Sequence, residues 1–150
     1  MLVHFLSAHL KINGSFEFAR ALKEDVVPLL RKQKGFRVYD AFIITNGTEA
    51  AGISFWEREE DLEAYLLRSA FQVTWALARA IEGVPQVQTF AISEATFLAV
   101  EDLRRMANVI VRAPRLHIYA VPESQFHRIA GGVAASATPE LQTVGGAQQT

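Results

Sequence analysis

No cysteine occurs anywhere in the 150 residues. Disulfides, thiolate nucleophiles and cysteine-ligated metal or iron–sulfur centres are excluded with it, and the absence suits a cytoplasmic chain. Charge of one sign is lacking too. Fifteen basic residues face sixteen acidic ones, for a net charge of −1, and the basic ones are scattered, so there is no electrostatic footprint for nucleic acid. No apolar run approaches the roughly 18 residues that a membrane-crossing helix needs. The first ten residues are apolar but carry no basic segment, and His4 and His9 interrupt them. They are expected to belong to the fold rather than to a signal peptide. Also missing are Gly-x-Ser-x-Gly, a phosphate-cradling glycine loop and a dinucleotide fingerprint. What is present is 50% apolar and 21% charged, the composition of a globular domain at the usual length of one.

Residues 2–12 alternate with period two, placing Leu2, Leu6, Leu10 and Ile12 on one face and Val3, Phe5, Ser7 and His9 on the other. That is a strand. Asn13-Gly14 turns the chain, and Ser15 is the expected N-cap of a helix over 16–34 built on Phe18, Leu22, Val26, Leu29 and Leu30. Pro28 should kink this helix, and Gly35 stands where a left-handed C-cap belongs. Residues 36–45 read as a second strand. Asn46-Gly47 is a strong hairpin signal, so residues 49–56 form a third strand antiparallel to the second. Both Asn-x-Ser/Thr sequons coincide with these turns. Acidic residues 57–61 open a second helix, which Ser69-Ala-Phe-Gln72, a capping-box pattern, should break and restart. It stops at Gly83, and residues 86–96 give a fourth strand.

The order β-α-β-β-α-β is that of an α+β, ferredoxin-like domain: an antiparallel four-stranded sheet with both helices on one face. It spans residues 1–97. Residues 98–130 form an extension, with a short helix over 100–107 and strand-prone 108–121 broken at Ala113-Pro114. From Gly131 to Thr150 the chain is rich in Gly, Ala, Ser, Thr and Gln, and is expected to be a flexible tail.

The sheet's second face, which should be polar if wet, is apolar instead. Strand two offers Phe36, Val38, Phe42 and Ile44 on one face against Tyr39, Ala41 and Ile43 on the other, and strand three offers Ile53 and Phe55 against Ala50, Gly52 and Trp56. Exposed patches of that size are rare on monomers. A homodimer closing face to face is the favoured cover, with 108–121 the segment best suited to cross to the partner. The alternative is that residues 98–130 fold back over the face within one chain.

The segment Ala51-Gly-Ile-Ser-Phe-Trp56-Glu-Arg-Glu-Glu-Asp-Leu-Glu-Ala-Tyr65, followed by Ser69-Ala-Phe71 and Glu82-Gly-Val-Pro85-Gln-Val-Gln-Thr-Phe90, resembles the antibiotic biosynthesis monooxygenase superfamily. Val27-Pro-Leu-Leu-Arg-Lys-Gln-Lys-Gly-Phe36 does so too. The resemblance covers about residues 1–97 and implies a dimeric α+β barrel. It extends to cofactor-independent monooxygenases of polycyclic phenols, haem-degrading enzymes and members of unknown role. The haem-degrading branch carries a histidine ligand ten residues after an aromatic on the second helix, and an asparagine on the first strand. Here the aromatic matches Tyr65, while Trp75 stands at the histidine position and His9 at the asparagine position. An indole N–H only donates and cannot ligate iron, so the resemblance argues against haem degradation.

Two functions remain. One is a monooxygenase that oxidises a small aromatic molecule without a cofactor, in a cavity between sheet and helices. The other is a binding or stress-response module that holds a small hydrophobic molecule without chemistry. His9, Trp56 and Tyr65 are the candidate catalytic residues: a titrating imidazole for a base if its face meets the helices, an indole to stack on a flat ring and a hydroxyl to bind a phenol or quinone. Tyr39, Phe71 and Trp75 are the candidate substrate contacts. Each has an ordinary reading as core aromatic or satisfied histidine. No metal site is expected. His4 and His9 point to opposite faces of one strand, His117 and His127 fall in different elements, and no His-x-x-His or carboxylate–histidine motif occurs.

Overall fold

A computed structural model of the chain describes residues 1–135. The strands are β1 (Leu2–Leu10), β2 (Phe36–Ile44), β3 (Glu49–Trp56), β4 (Ile81–Ala91), β5 (Asn108–Ala113) and β6 (Leu116–Val121). The helices are α1 (Gly14–Ala21), α2 (Val27–Leu30), α3 (Glu59–Arg68), α4 (Ala70–Leu77), α5 (Glu94–Met106) and α6 (Glu123–Ala135). All six strands form one sheet in the order β4-β1-β3-β2-β6-β5. The antiparallel four-stranded sheet expected from the sequence is its first part. β6 extends it by pairing parallel to β2, Tyr39 opposite Leu116 through Ile44 opposite Val121, so the sheet is mixed.

Local chemistry accounts for most boundaries. The first helix begins at Gly14 after Asn13 in a left-handed conformation (φ 62°), not at an Ser15 cap. Between α1 and α2 runs a π-helical turn, Leu22–Val26. It lies just before Pro28, whose missing N–H and ring disturb the regular ladder. The helix breaks at Ser69 as expected, though the Ser69 side chain makes no cap hydrogen bond. The fourth strand starts at Ile81, five residues before the expected position. Gly83, expected to stop a helix, lies inside β4 at φ 75°, where the pairing with β1 slips between Ser7 and His9. Positive φ and a local bulge are what glycine permits in a strand. Ala113-Pro114 does divide the C-terminal strand region, and β5 and β6 pair as a hairpin.

Each face of the sheet carries its own core. On one face Phe18, Leu22, Leu30, Leu62 and Leu77 from the first four helices pack on Leu10, Ala41, Ile43 and Trp56. On the other, Val100, Leu103, Phe126 and Ile129 from α5 and α6 pack on Val3, Phe5, Phe42, Ile53 and Phe55. The cover that the second apolar face requires comes from the chain itself, and β6 pairs in the same sheet rather than with a partner. This is the alternative in which residues 98–130 fold back within one chain, and it removes the bare apolar face as the reason to expect a homodimer. The first five residues of the expected flexible tail, 131–135, continue α6. The rest of that tail lies outside the described residues. Among the described residues no helix is long and apolar enough to cross a membrane.

A buried ion pair fastens the second layer. Asp40 on β2 is fully buried and accepts a hydrogen bond from Arg104 Nε of α5 at 2.7 Å, with Arg104 Nη2 on the same oxygen. His117 Nδ1 lies 3.2 Å from the other carboxylate oxygen. The Arg104 guanidinium sits 5.5 Å from the Phe55 ring centre, a cation–π contact. Burial pushes the Asp40 carboxyl above its usual range, and Arg104 and His117 oppose that push.

A pocket between the sheet and helices three and four

The helix-covered face of the sheet is not filled everywhere. A cavity of about 190 Å³ lies between β1–β4 and the helices, lined on the sheet side by His4, Tyr39, Gly52 and Ser54 and on the helix side by Tyr65, Ala70 and Val73. It adjoins a hollow of about 120 Å³ that shares Leu6, Thr74 and Pro85 with it. A larger space of about 530 Å³ beside Gln33, Arg37, Glu57 and Arg115 is an open polar notch at the surface, away from these groups.

Strand alternation places the polar lining. His4 shares the helix-facing side of β1 with Leu6, and Tyr39 shares that side of β2 with Ala41 and Ile43. Tyr39 stands opposite Ser54 in register, and its ring reaches over Gly52. A Cβ at Gly52 would lie 1.9 Å from the Tyr39 hydroxyl oxygen, so any larger residue there must push the phenol aside. Trp56 is fully buried behind the cavity wall and stacks on Tyr65 with ring centres 5.0 Å apart. Its indole N–H donates to Ser54 Oγ at 2.9 Å, and Ser54 donates in turn to the His4 carbonyl at 3.4 Å. This chain of bonds satisfies every buried polar atom in it and fixes the wall.

The protonation states follow from burial. Burial pushes the Tyr39 and Tyr65 hydroxyls far above their usual range, so both remain O–H donors. Burial lowers the His4 pKa below its usual 6.5, so the ring is neutral at physiological pH. Its Nδ1 lies 3.0 Å from Thr89 Oγ1, and its ring meets Tyr65 edge-on at 6.5 Å. A neutral base and two neutral donors in an apolar cavity can take the proton of a weakly acidic hydroxyl and hydrogen-bond the resulting oxyanion.

His4 also gives the fold a pH dependence. The unfolded ring takes a proton near pH 6.5 while the folded ring resists it. This contribution is therefore present above 6.5 and is lost as pH falls through the lowered folded value. Chemical denaturation from pH 7.5 to 5 is expected to show a stability decline that His4→Gln reduces. An unchanged slope in the variant would assign the decline to other groups.

The structure brings together only part of the site expected from the sequence. Tyr39 and Tyr65 line the cavity. Trp56 supports it from behind. His9 does not take part: its side chain is 76% exposed, on the opposite face of β1, near Glu49. Phe71 and Trp75 meet edge to face on the outer side of α4 and are mostly exposed. The residue that sequence reasoning missed is His4. It alternates in phase with Leu2, Leu6 and Leu10, which pack against the helix-side core, but with both faces of β1 apolar that phase alone does not say which face the helices cover.

No protein-family model matches the sequence, and no curated protein matches it. The fold has solved counterparts. The Streptomyces coelicolor monooxygenase from the gene ActVA-Orf6, in complex with nanaomycin D, superposes with a TM-score of 0.55 at 16% identity, covering 63% of this chain and 88% of that one. A Bordetella bronchiseptica structure assigned as an antibiotic biosynthesis monooxygenase gives 0.53 at 15%, covering 61% and 96%. A Deinococcus radiodurans structure of the same assignment gives 0.53 at 12%, covering 63% and 95%. At such identities the likeness shows the fold, and the fold is that of the antibiotic biosynthesis monooxygenases. The matched share is about the length of the βαββαβ unit, so the chain carries a large extension beyond these neighbours.

Proposed function

We propose that this chain is a monooxygenase-like protein that oxidises a small phenol with dioxygen in the pocket between the sheet and α3–α4. The reading is carried by His4, a partly buried neutral imidazole that shares an apolar cavity with two tyrosine side chains. In the tautomer in which Nδ1–H donates to Thr89 Oγ1, Nε2 is the ring nitrogen that accepts the substrate proton. Tyr39 and Tyr65 then donate to the phenolate oxygen. An electron-rich phenolate reacts with dioxygen directly. For the simplest case a phenol and O₂ give a quinone and water, one oxygen atom entering the ring and the other leaving as water. No cofactor is required for that balance.

The size of the space favours small rings. At about 190 Å³ it is below the roughly 300 Å³ at which ligand pockets usually begin, so one or two rings fit and a polycycle does not. The same modest size supports a second reading, a module that holds a small hydrophobic molecule without turnover. Oxygen-electrode assays on phenols of one ring and on naphthols separate the two. The enzyme reading predicts one O₂ consumed per quinone formed, and a loss of about 10²-fold or more in kcat for His4→Gln with little change in ligand binding. Binding with no oxygen uptake above the uncatalysed rate would leave the second reading.

A further inference from the structure

Three potential metal ligands, Glu49, Glu123 and His127, meet at the rim of the sheet where β3 begins, and a fourth, His9, stands beside Glu49. Glu49 opens β3, and His9 on β1 is its direct partner in register. Glu123 and His127 lie one turn apart on α6 and so share a helix face. Ligand atoms of Glu49, Glu123 and His127 all lie within 4.8 Å of one another. Glu49 stands between the imidazoles: Oε1 is 4.0 Å from His9 Nδ1, and Oε2 is 3.8 Å from His127 Nε2.

Those spacings are too long for hydrogen bonds. Two ligand atoms held at about 2.0–2.2 Å from a tetrahedral ion stand roughly 3.3–3.6 Å apart, so these spacings need to close by only a few tenths of an ångström. Two imidazoles with two carboxylates form a nitrogen–oxygen set suited to divalent transition ions. The flanking side chains are exposed, His9 76% and His127 62%, so His127 can close on the ion and His9, outside the three-residue cluster, can turn toward it by a change of rotamer.

We propose that His9, Glu49, Glu123 and His127 form a zinc site. Four protein ligands leave no open position, which is the pattern of a structural ion. It joins α6 to the β1–β3 rim and thereby holds the C-terminal layer over the second core. His9 thus acts as a metal ligand at the rim, and His4 carries the pocket.

The test is calorimetric titration of the chelator-treated full chain with zinc chloride. One zinc per chain is expected at micromolar affinity or tighter, with a higher melting temperature when zinc is bound. His127→Ala and Glu49→Gln should each weaken binding by roughly tenfold or more, while melting in the absence of zinc as the parent does. Cobalt(II) in place of zinc should give the visible absorption of a four-coordinate ion. His117→Ala should leave binding unchanged. No binding up to about 100 µM zinc would overturn the proposal. So would binding that survives both His127→Ala and Glu49→Gln, or that is lost in His117→Ala instead.

Discussion

Ending the chain at Ile92, before α5, is expected to make it associate or aggregate where the full chain does not. The truncation keeps all of β1 to β4 and the first four helices, and it lies close to the length shared with the solved neighbours. It strips Val100, Leu103, Phe126 and Ile129 from Val3, Phe5, Phe42, Ile44, Ile53, Phe55 and Phe90. Each large apolar side chain returned to water costs roughly 1.5–3 kcal/mol, a sum beyond the net stability of an ordinary domain. The truncation also bares the β2 edge that β6 had paired, and an unpaired edge invites association. Light scattering should find the truncated chain dimerised or aggregated. The chain ended after Ala135, which keeps both covering helices, should not associate through that face. A truncated chain that stays monomeric and cooperatively folded would mean that α5 and α6 contribute little.

Removing Arg104 should cost almost as much as any single change. Arg104→Leu leaves the fully buried Asp40 carboxylate with His117 as its remaining partner. Breaking a buried pair from one side typically costs about 3–5 kcal/mol, which at this size is on the order of 10 °C in melting temperature. The sign with pH is fixed by the same physics. Without Arg104 the folded-state pKa of Asp40 rises further, so the variant recovers stability as pH falls through that value and protonation removes the buried charge. The double variant Asp40→Leu/Arg104→Leu should lie closer to the parent than Arg104→Leu does, since matched apolar replacement of a buried pair is often neutral. Equal losses in the single and double variants at every pH would show that the ion pair does not fasten α5.

The order of the first four strands was legible because each carries its own evidence: period-two alternation in β1, Asn46-Gly47 between β2 and β3, and acidic residues opening α3. The faces were legible too, except that Phe36 joins the helix-side core with Trp56. A slip in pairing between Phe36 and Val38 moves it there, and alternation cannot register a bulge. What the sequence hid was which apolar face the first helices cover. Both faces of β1 are apolar, so the choice between His4 and His9 for the pocket could not be read from periodicity. The second cover was hidden for a related reason. Residues 98–130 look weak as isolated elements, and α6 runs through Gly131 and Gly132, two poor helix formers. The parallel pairing of β6 with β2 and the docking of Phe126 and Ile129 support it, and those are tertiary effects.

The proposed pocket requires a small phenol to bind beside His4 and not beside His9. Histidine side-chain nitrogen–proton NMR spectra, recorded while 2-naphthol is titrated into the full chain, test it most directly. The His4 ring signals are expected to shift with saturation while those of His9 and His127 stay in place, and Gly52→Leu, by displacing Tyr39 into the cavity, should weaken the effect. Shifts at His9 with a silent His4 would contradict it.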